Sequence, residues 1–236
     1  MRVLKESGNH LRNKARQKLI MVFLCTVVFA AIFLSSVSIL PIYINVGKYE
    51  SVRTLSMVFP IILGLQFYRQ NRRYKKGFDG ERQLTKLLSS VLDDQYVLIN
   101  DVEFRDGSGN IDHVVLGPTG IFAIETKNQR GMIECNGDVW NGVVGQNPSK
   151  QARNNAVRIY NRIRSSEVFK SEKPWVQGVV VFTNKDVKLN IQNPINVEIM
   201  KIDELANYIL TKGPRHFSSQ EIELIGEKIL TTKTEN

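Results

Sequence analysis

Residues 110–128 read NIDHVVLGPTGIFAIETKN, and the way this stretch folds back on itself governs the reading of the rest of the chain. Two apolar runs, IDHVVL and IFAIET, flank Gly117-Pro118-Thr119-Gly120, the composition of a chain reversal, which predicts an antiparallel hairpin. Pairing outward from that loop sets Leu116 against Ile121, Val115 against Phe122, Val114 against Ala123 and His113 against Ile124. Asp112 then falls opposite Glu125, and Lys127, two residues further on, shares the face of Glu125. Opposed carboxylates repel unless something neutralises them. One reading is a cation site: two carboxylates with room for water suit Mg²⁺ or Mn²⁺, and a nearby lysine could orient water or stabilise charge on a phosphoryl group. The other is a salt-bridged strand end in which Lys127 neutralises Glu125 and Asp112 is solvated. A pairing offset by one residue would separate the two acids by face. His113 points to the opposite face and reads as a packed core histidine.

Before the hairpin, residues 78–92 place Leu84, Leu87, Leu88 and Val91 at helical spacing, with Asp79 as the expected N-cap. Glu81 shares the inward stripe of Leu84 and Leu88, and a first-turn acid favoured by the helix dipole is its bland alternative. Strands are expected over 96–100, 111–116, 121–126, 131–135, 139–144, 176–183 and 197–200, and helices over 148–164, 202–210 and 219–230. Residues 176–183 are almost continuously apolar, which suits a fully buried strand. The pattern predicts an α/β fold around one mixed sheet. Residues 139–166 hold no acid, while Lys150, Arg153, Arg158, Arg162 and Arg164 lie on or beside one helix. That helix could meet phosphates without sequence preference, or could present an ordinary solvated face.

Gly80-Glu81-Arg82, the run from Ile111 to Val115, Glu125-Thr126-Lys127, Trp140, and Gln146-Asn147-Pro148 with Gln151 together resemble the nuclease-related (NERD) domain, a branch of the PD-(D/E)xK nuclease superfamily. The resemblance covers roughly residues 78–181, with the motifs in the family's order. It implies a restriction-endonuclease-like mixed central sheet flanked by helices. By position it makes Asp112 and Glu125 the metal-binding carboxylates, Lys127 the catalytic lysine and Glu81 the helix carboxylate that completes the site, with Mg²⁺ or Mn²⁺ as cofactor. Gln146 and Gln151 would lie near the site, with Lys150 and Arg153 beside them for substrate, while Trp140 reads as packing. Ile111 stands where the wider superfamily has proline, which the NERD pattern accommodates.

The net charge of +9 does not belong to this region. Residues 1–76 hold 13 Lys and Arg against 2 Asp and Glu; residues 77–236 hold 19 against 21. The basic third also contains the longest apolar run, residues 19–40, 22 residues without a charge and about 33 Å long as a helix, enough to cross a membrane. A second run, residues 54–68, is only 15 residues, about 22 Å, and requires snorkelling arginines or local thinning to span. Basic flanks at 1–18 and 69–76 around a poorly charged loop at 41–53 predict a transmembrane helical hairpin, multi-pass in the cell membrane, with N-terminus and C-terminal domain cytoplasmic. The domain proper is expected over 77–236. Two cysteines, Cys25 and Cys135, exclude a disulfide framework, and His10, His113 and His216 have no metal-ligand spacing. The expected partners are the lipid bilayer and nucleic acid. The expected function is that of a membrane-anchored, metal-dependent nuclease acting on DNA or RNA, with a non-catalytic nucleic-acid-binding or regulatory module, or a membrane scaffold, as the alternatives.

Overall fold

A computed structural model describes residues 1–5, 9–38, 50–104, 109–143, 145–169, 175–212 and 217–231. The chain divides into two compact units, one made of Met1–Asn9 with Asp79–Asn236 and the other of His10–Phe78.

The larger unit is a mixed α/β structure built on a six-stranded sheet in the order β1 (Arg2–Lys5), β2 (Val97–Val102), β3 (Ile111–Gly117), β4 (Gly120–Lys127), β7 (Val176–Phe182) and β9 (Glu198–Lys201). β2, β3 and β4 run antiparallel in sequence, whereas β1 joins β2, β7 joins β4 and β9 joins β7 in parallel. A separate three-stranded sheet contains β5 (Gly131–Asn136), β6 (Val139–Asn141) and β8 (Val187–Gln192), in the order β6-β5-β8. The single sheet expected from sequence is therefore two. β8, whose VKLNIQ alternates as a half-buried strand does, is absent from the expected strands, and it binds β5 in parallel across a long sequence gap. Residue 144, the end of the expected strand 139–144, lies outside the described residues.

Both faces of the six-stranded sheet are covered. On one, Leu84, Leu88 and Leu92 meet Leu98, Val115, Phe122 and Val181, with Leu205 and Ile209 of α4 (Ile202–Thr211) completing the cluster. On the other, α3 (Pro148–Ile163) and α5 (Ser219–Leu230) set Ile159, Ile163, Ile222 and Ile225 against Ile99, Leu116, Ile121 and Ala123. Gly178 lets α3 approach β7 closely: a Cβ there would lie 2.9 Å from the carbonyl oxygen of Ala152. α5 begins with a capping box between Ser218 and Glu221.

The helix expected over 78–92 is the end of a much longer one, α2 (Glu50–Val91), 42 residues that include Pro60, Gly64 and Gly77. Asp79 thus sits inside a helix and caps nothing, and the sequence boundary at Gly77 is continuous helix. Within the smaller unit α1 (Asn9–Ser38) and α2 lie side by side in opposite directions. Asn71 Nδ2 donates to the Ala15 carbonyl at 2.6 Å, the Lys18 ammonium stands 5.3 Å from the Phe67 ring centre, and a Cβ on Gly64 would be 3.5 Å from that of Cys25. Among the described residues one stretch, Leu11–Leu34 in α1, is long and apolar enough to cross a membrane. Of the two spans expected, only the first supplies such a candidate among the described residues. Residues 54–68 form the apolar part of α2, whose helical run continues straight into Arg69, Arg72 and Arg73, so they give no stretch of that length.

Candidate active site

The register of β3 and β4 follows from the Gly-Pro-Thr-Gly loop: Gly117 pairs with Gly120, Leu116 with Ile121, Val115 with Phe122, Val114 with Ala123 and His113 with Ile124. One step beyond, a side chain takes over from the ladder, and the Thr126 N–H donates to Asp112 Oδ2 at 2.8 Å. Glu125 and Lys127 occupy the end of β4 on the α3 side of the sheet. Lys127 Nζ donates to Glu125 Oε1 at 2.8 Å and to Gln151 Oε1 at 2.7 Å. Asn155, one helical turn beyond Gln151, donates from Nδ2 to Glu125 Oε2 at 3.2 Å. Two amides on one face of α3 thus hold both members of the Glu125–Lys127 pair. Their helix is fixed at its start by Asn147, whose side chain accepts from the Lys150 N–H, and by Pro148 in the first turn.

Glu81 enters from α2 and is 5% exposed. Gly80 seats this part of the helix on the strand ends, since a Cβ there would lie 2.8 Å from Thr183 Oγ1 and 2.9 Å from the Asn128 Cβ. Burial, then the charges of Asp101 and Glu125, push the Glu81 carboxyl up to about 8. Its Oε2 is buried and makes no hydrogen bond. Asp112 retains some accessible surface at the strand edge, but its carboxyl is held well above the ordinary range by desolvation, then by Glu125 and Glu81, with the Thr126 N–H and Lys127 opposing. The acids therefore sense one another's charge, and Lys127 is the cation bonded within the group. When ionised, the carboxylates of Asp112, Glu125, Glu81 and Asp101 outnumber the Lys127 ammonium, an excess of negative charge that a cation would offset.

Among the described residues no group of three or more His, Cys, Asp and Glu side chains is arranged to hold a metal ion. Mg²⁺ ordinarily takes one or two protein carboxylates and fills its shell with water and phosphate oxygens, so Asp112 with Glu125 is a sufficient donor set. The orphaned Glu81 oxygen and the raised carboxyls of Glu81 and Asp112 fit a cation at this place.

The remaining residues singled out from sequence scatter. Gln151 reaches the site through Lys127, whereas Gln146 lies exposed on the turn before α3. Lys150 is exposed in the first turn of α3. Arg153 is gripped by Asp138 through two bonds of 2.7 and 2.6 Å and by the Ile195 carbonyl. Arg158 and Arg162 stack over the Phe104 ring at 3.8 and 4.7 Å and donate to the Gly109 and Glu103 carbonyls. Much of the basic character of α3 is thus engaged within the fold. Trp140 packs near Phe182 and donates to Ser149 Oγ. His113 lies in the core and donates from Nδ1 to Asn100 Oδ1 at 2.6 Å, because the Asn100 amide is committed to the Lys5 carbonyl; burial drives its pKa down to about 3. Sequence reasoning missed Asn155, and it gave Asp101, in the loop leading into the hairpin, no chemistry. For Asn155 a signal existed, a polar residue one turn after Gln151 within the apolar stripe of Ala152, Ala156 and Ile159.

A family model described as the nuclease-related domain, NERD, matches residues 76–183. That match begins just before Glu81 and takes in Asp112, Glu125, Lys127, Gln151 and Asn155. An uncharacterized protein of Bacillus anthracis is 36% identical over 61 residues, 25% of this chain and 29% of that protein. The chain therefore covers less than a third of that relative's length. No solved structure matches.

Proposed function

We propose that this chain is a membrane-anchored, metal-dependent nuclease that hydrolyses phosphodiester bonds of DNA or RNA. The observation that carries the reading is the convergence of Asp112, Glu125 and Lys127 at one strand end, with Glu81 in electrostatic contact and α3 holding the pair in place. The match of residues 76–183 to a nuclease-related domain supports it, as does a mixed sheet covered by helices on both faces, which we read as a restriction-endonuclease-like core. Asp112 and Glu125 would hold Mg²⁺ or Mn²⁺, which when bound supplies Lewis-acid activation of water. Lys127, fixed between Glu125 and Gln151, keeps a positive charge where charge would grow on the phosphoryl oxygens. Glu81, whose carboxyl titrates near neutral pH, can hold or release a proton beside that centre. Lys150 and Gln146, both exposed at the start of α3, are the groups we assign to the substrate backbone. We leave Arg153 out of that contact, because Asp138 already takes it.

The anchor is supported by α1. Its topology has support from β1, since the segments before and after residues 10–78 belong to one compact unit. Any outward crossing by α1 must then be matched by a return, and residues 54–68 are the apolar run available for it, with flanking arginines snorkelling. The basic flanks favour the cytoplasm for both ends.

A non-catalytic module on the same fold is the second reading, favoured by the closed Lys127–Glu125 ion pair, which neutralises Glu125 without an ion. Cleavage of single- and double-stranded DNA and RNA by the full chain in detergent, with Mg²⁺, Mn²⁺ or chelator, separates the two. Metal-dependent cleavage lost in Asp112→Asn and Lys127→Ala is expected. Metal binding without turnover on every substrate would establish the module instead.

A further inference from the structure

The antiparallel packing of α1 and α2 joins two basic stretches that are more than fifty residues apart in sequence. Asn71 meets Ala15, Lys14 stands over the Tyr74 ring and Lys18 over that of Phe67. These contacts put Arg12, Lys14, Arg16 and Lys18 of α1 at the same level as Arg69, Arg72, Arg73, Lys75 and Lys76 of α2. All but Lys18 are exposed, and residues 10–18 and 69–76 contain no acid. The result is a belt of nine cations from two helices. On α1 it gives way at once to exposed Leu19, Ile20 and Phe23; on α2 it is preceded by exposed Leu65 and Tyr68.

We propose that this belt is a binding surface for the headgroups of anionic phospholipids, a conclusion that rests on the membrane-anchored reading above. A ring of cations bordering apolar helix surface matches a layer of phosphates bordering hydrocarbon, with ammonium and guanidinium groups at the headgroup and the apolar side chains in the acyl region. Nucleic acid offers the phosphates but nothing for the adjoining apolar surface. The larger unit adds no comparable charge, as residues 77–236 hold 19 basic against 21 acidic side chains. Four of the cations lie on one helix and five on the other, so each stretch contributes part of the surface.

The test uses the full chain purified in neutral detergent, offered phosphatidylglycerol and phosphatidylcholine in equal amounts, with retained lipid measured by native mass spectrometry. Phosphatidylglycerol is expected to be enriched by a factor of roughly five or more, since a single cation at an anionic surface is worth about that much. Replacing Arg12, Lys14 and Arg16 with Gln, or Arg69, Arg72 and Arg73 with Gln, should each reduce the enrichment, and the combined variant should abolish it. Substituting Lys for the five arginines keeps the charge and should keep the enrichment, so a fold defect is told apart from a lost surface. Equal retention of both lipids, or enrichment unchanged in the combined variant, overturns the proposal. Binding of a short duplex oligonucleotide that disappears in the combined variant, without lipid preference, overturns it in favour of a nucleic-acid surface. Extraction of the wild-type chain from cell membranes by alkaline carbonate would defeat the anchored reading itself, a result separate from lipid preference in a chain that resists extraction.

Discussion

Glu81 is the residue whose chemistry departs furthest from what its sequence position suggests. A glutamate near the start of an expected helix has an ordinary dipole role, but here it is mid-helix, nearly inaccessible and beside Asp101 and Glu125. Its carboxyl rises from an ordinary 4.5 to about 8 in the folded chain. The folded state therefore holds a proton that the unfolded chain releases, and the sign of the linkage follows. Its contribution to stability is fully present below pH 4.5 and is lost as the pH climbs through about 8. Without metal, the melting temperature should fall across that window, with Asp112 acting in the same direction. Glu81→Gln should flatten the fall, and Mg²⁺ should oppose it at the alkaline end by binding the ionised carboxylates. Thermal melts from pH 5 to pH 9, with and without Mg²⁺ and with chelator as control, check this. An identical profile for wild type and Glu81→Gln would remove Glu81 from the electrostatic group.

At the scale of elements, the readings that succeeded rest on local chemistry. The loop 117–120 has one register that keeps both apolar faces buried, and from its last pair, His113 with Ile124, the Asp112 carboxylate reaches the Thr126 N–H beside Glu125. β7 reads as a central strand because both its faces are covered, between β4 and β9. α3 reads as a helix because its apolar residues recur every three or four positions. What failed was non-local. β1 is four residues, RVLK, inside a stretch that composition assigns to a basic tail, and its pairing with Val97, Leu98 and Ile99 spans more than ninety residues. Gly77 looked like a boundary, yet α2 runs through it. Asn155 stands out as a polar residue in an apolar stripe, but its partner Glu125 is thirty residues away and only the fold brings the two together. β1 has a cost attached to its removal. The Lys5 carbonyl accepts from Asn100 Nδ2, and Asn100, fully buried, in turn holds His113. Deleting residues 2–5 leaves that amide without its partner, a loss of about 1–3 kcal/mol before lost packing is counted. The larger unit should then melt roughly 3 to 10 °C lower. The test is calorimetry of the full chain against the deletion. An unchanged melting temperature would mean that β1 contributes nothing to the sheet, and a fragment starting at residue 77 would then be as stable as the complete unit.

For the whole molecule, β1 also constrains how the chain can lie across a membrane. Residues 10–78 leave from and return to one compact unit, because Met1–Asn9 and Asp79–Asn236 fold together. A chain whose two ends are bonded into one sheet cannot have them on opposite sides of a bilayer, so an odd number of crossings is incompatible with the strand pairing of Arg2 with Val97. In the membrane-anchored reading proposed above, a return crossing would fall to the 54–68 run. Leu55, Phe59 and Ile62 there are 69%, 62% and 59% exposed, apolar surface that water does not favour and lipid accepts. The run is short by the usual measure, and its flanking arginines can reach the interface from a helix end that lies below it. With Cys25 changed to Ser, a cysteine placed at Lys48 should react with a membrane-impermeant maleimide from outside intact cells. A cysteine at Arg73 should react only after the cells are opened, and reporters fused before Met1 and after Asn236 should both be cytoplasmic. Reporters found on opposite sides would break both conclusions at once, the return crossing and the pairing of β1 with β2. Labelling of neither cysteine from outside, with both ends cytoplasmic, would leave β1 in place and make α1 a helix that lies on the membrane without crossing it.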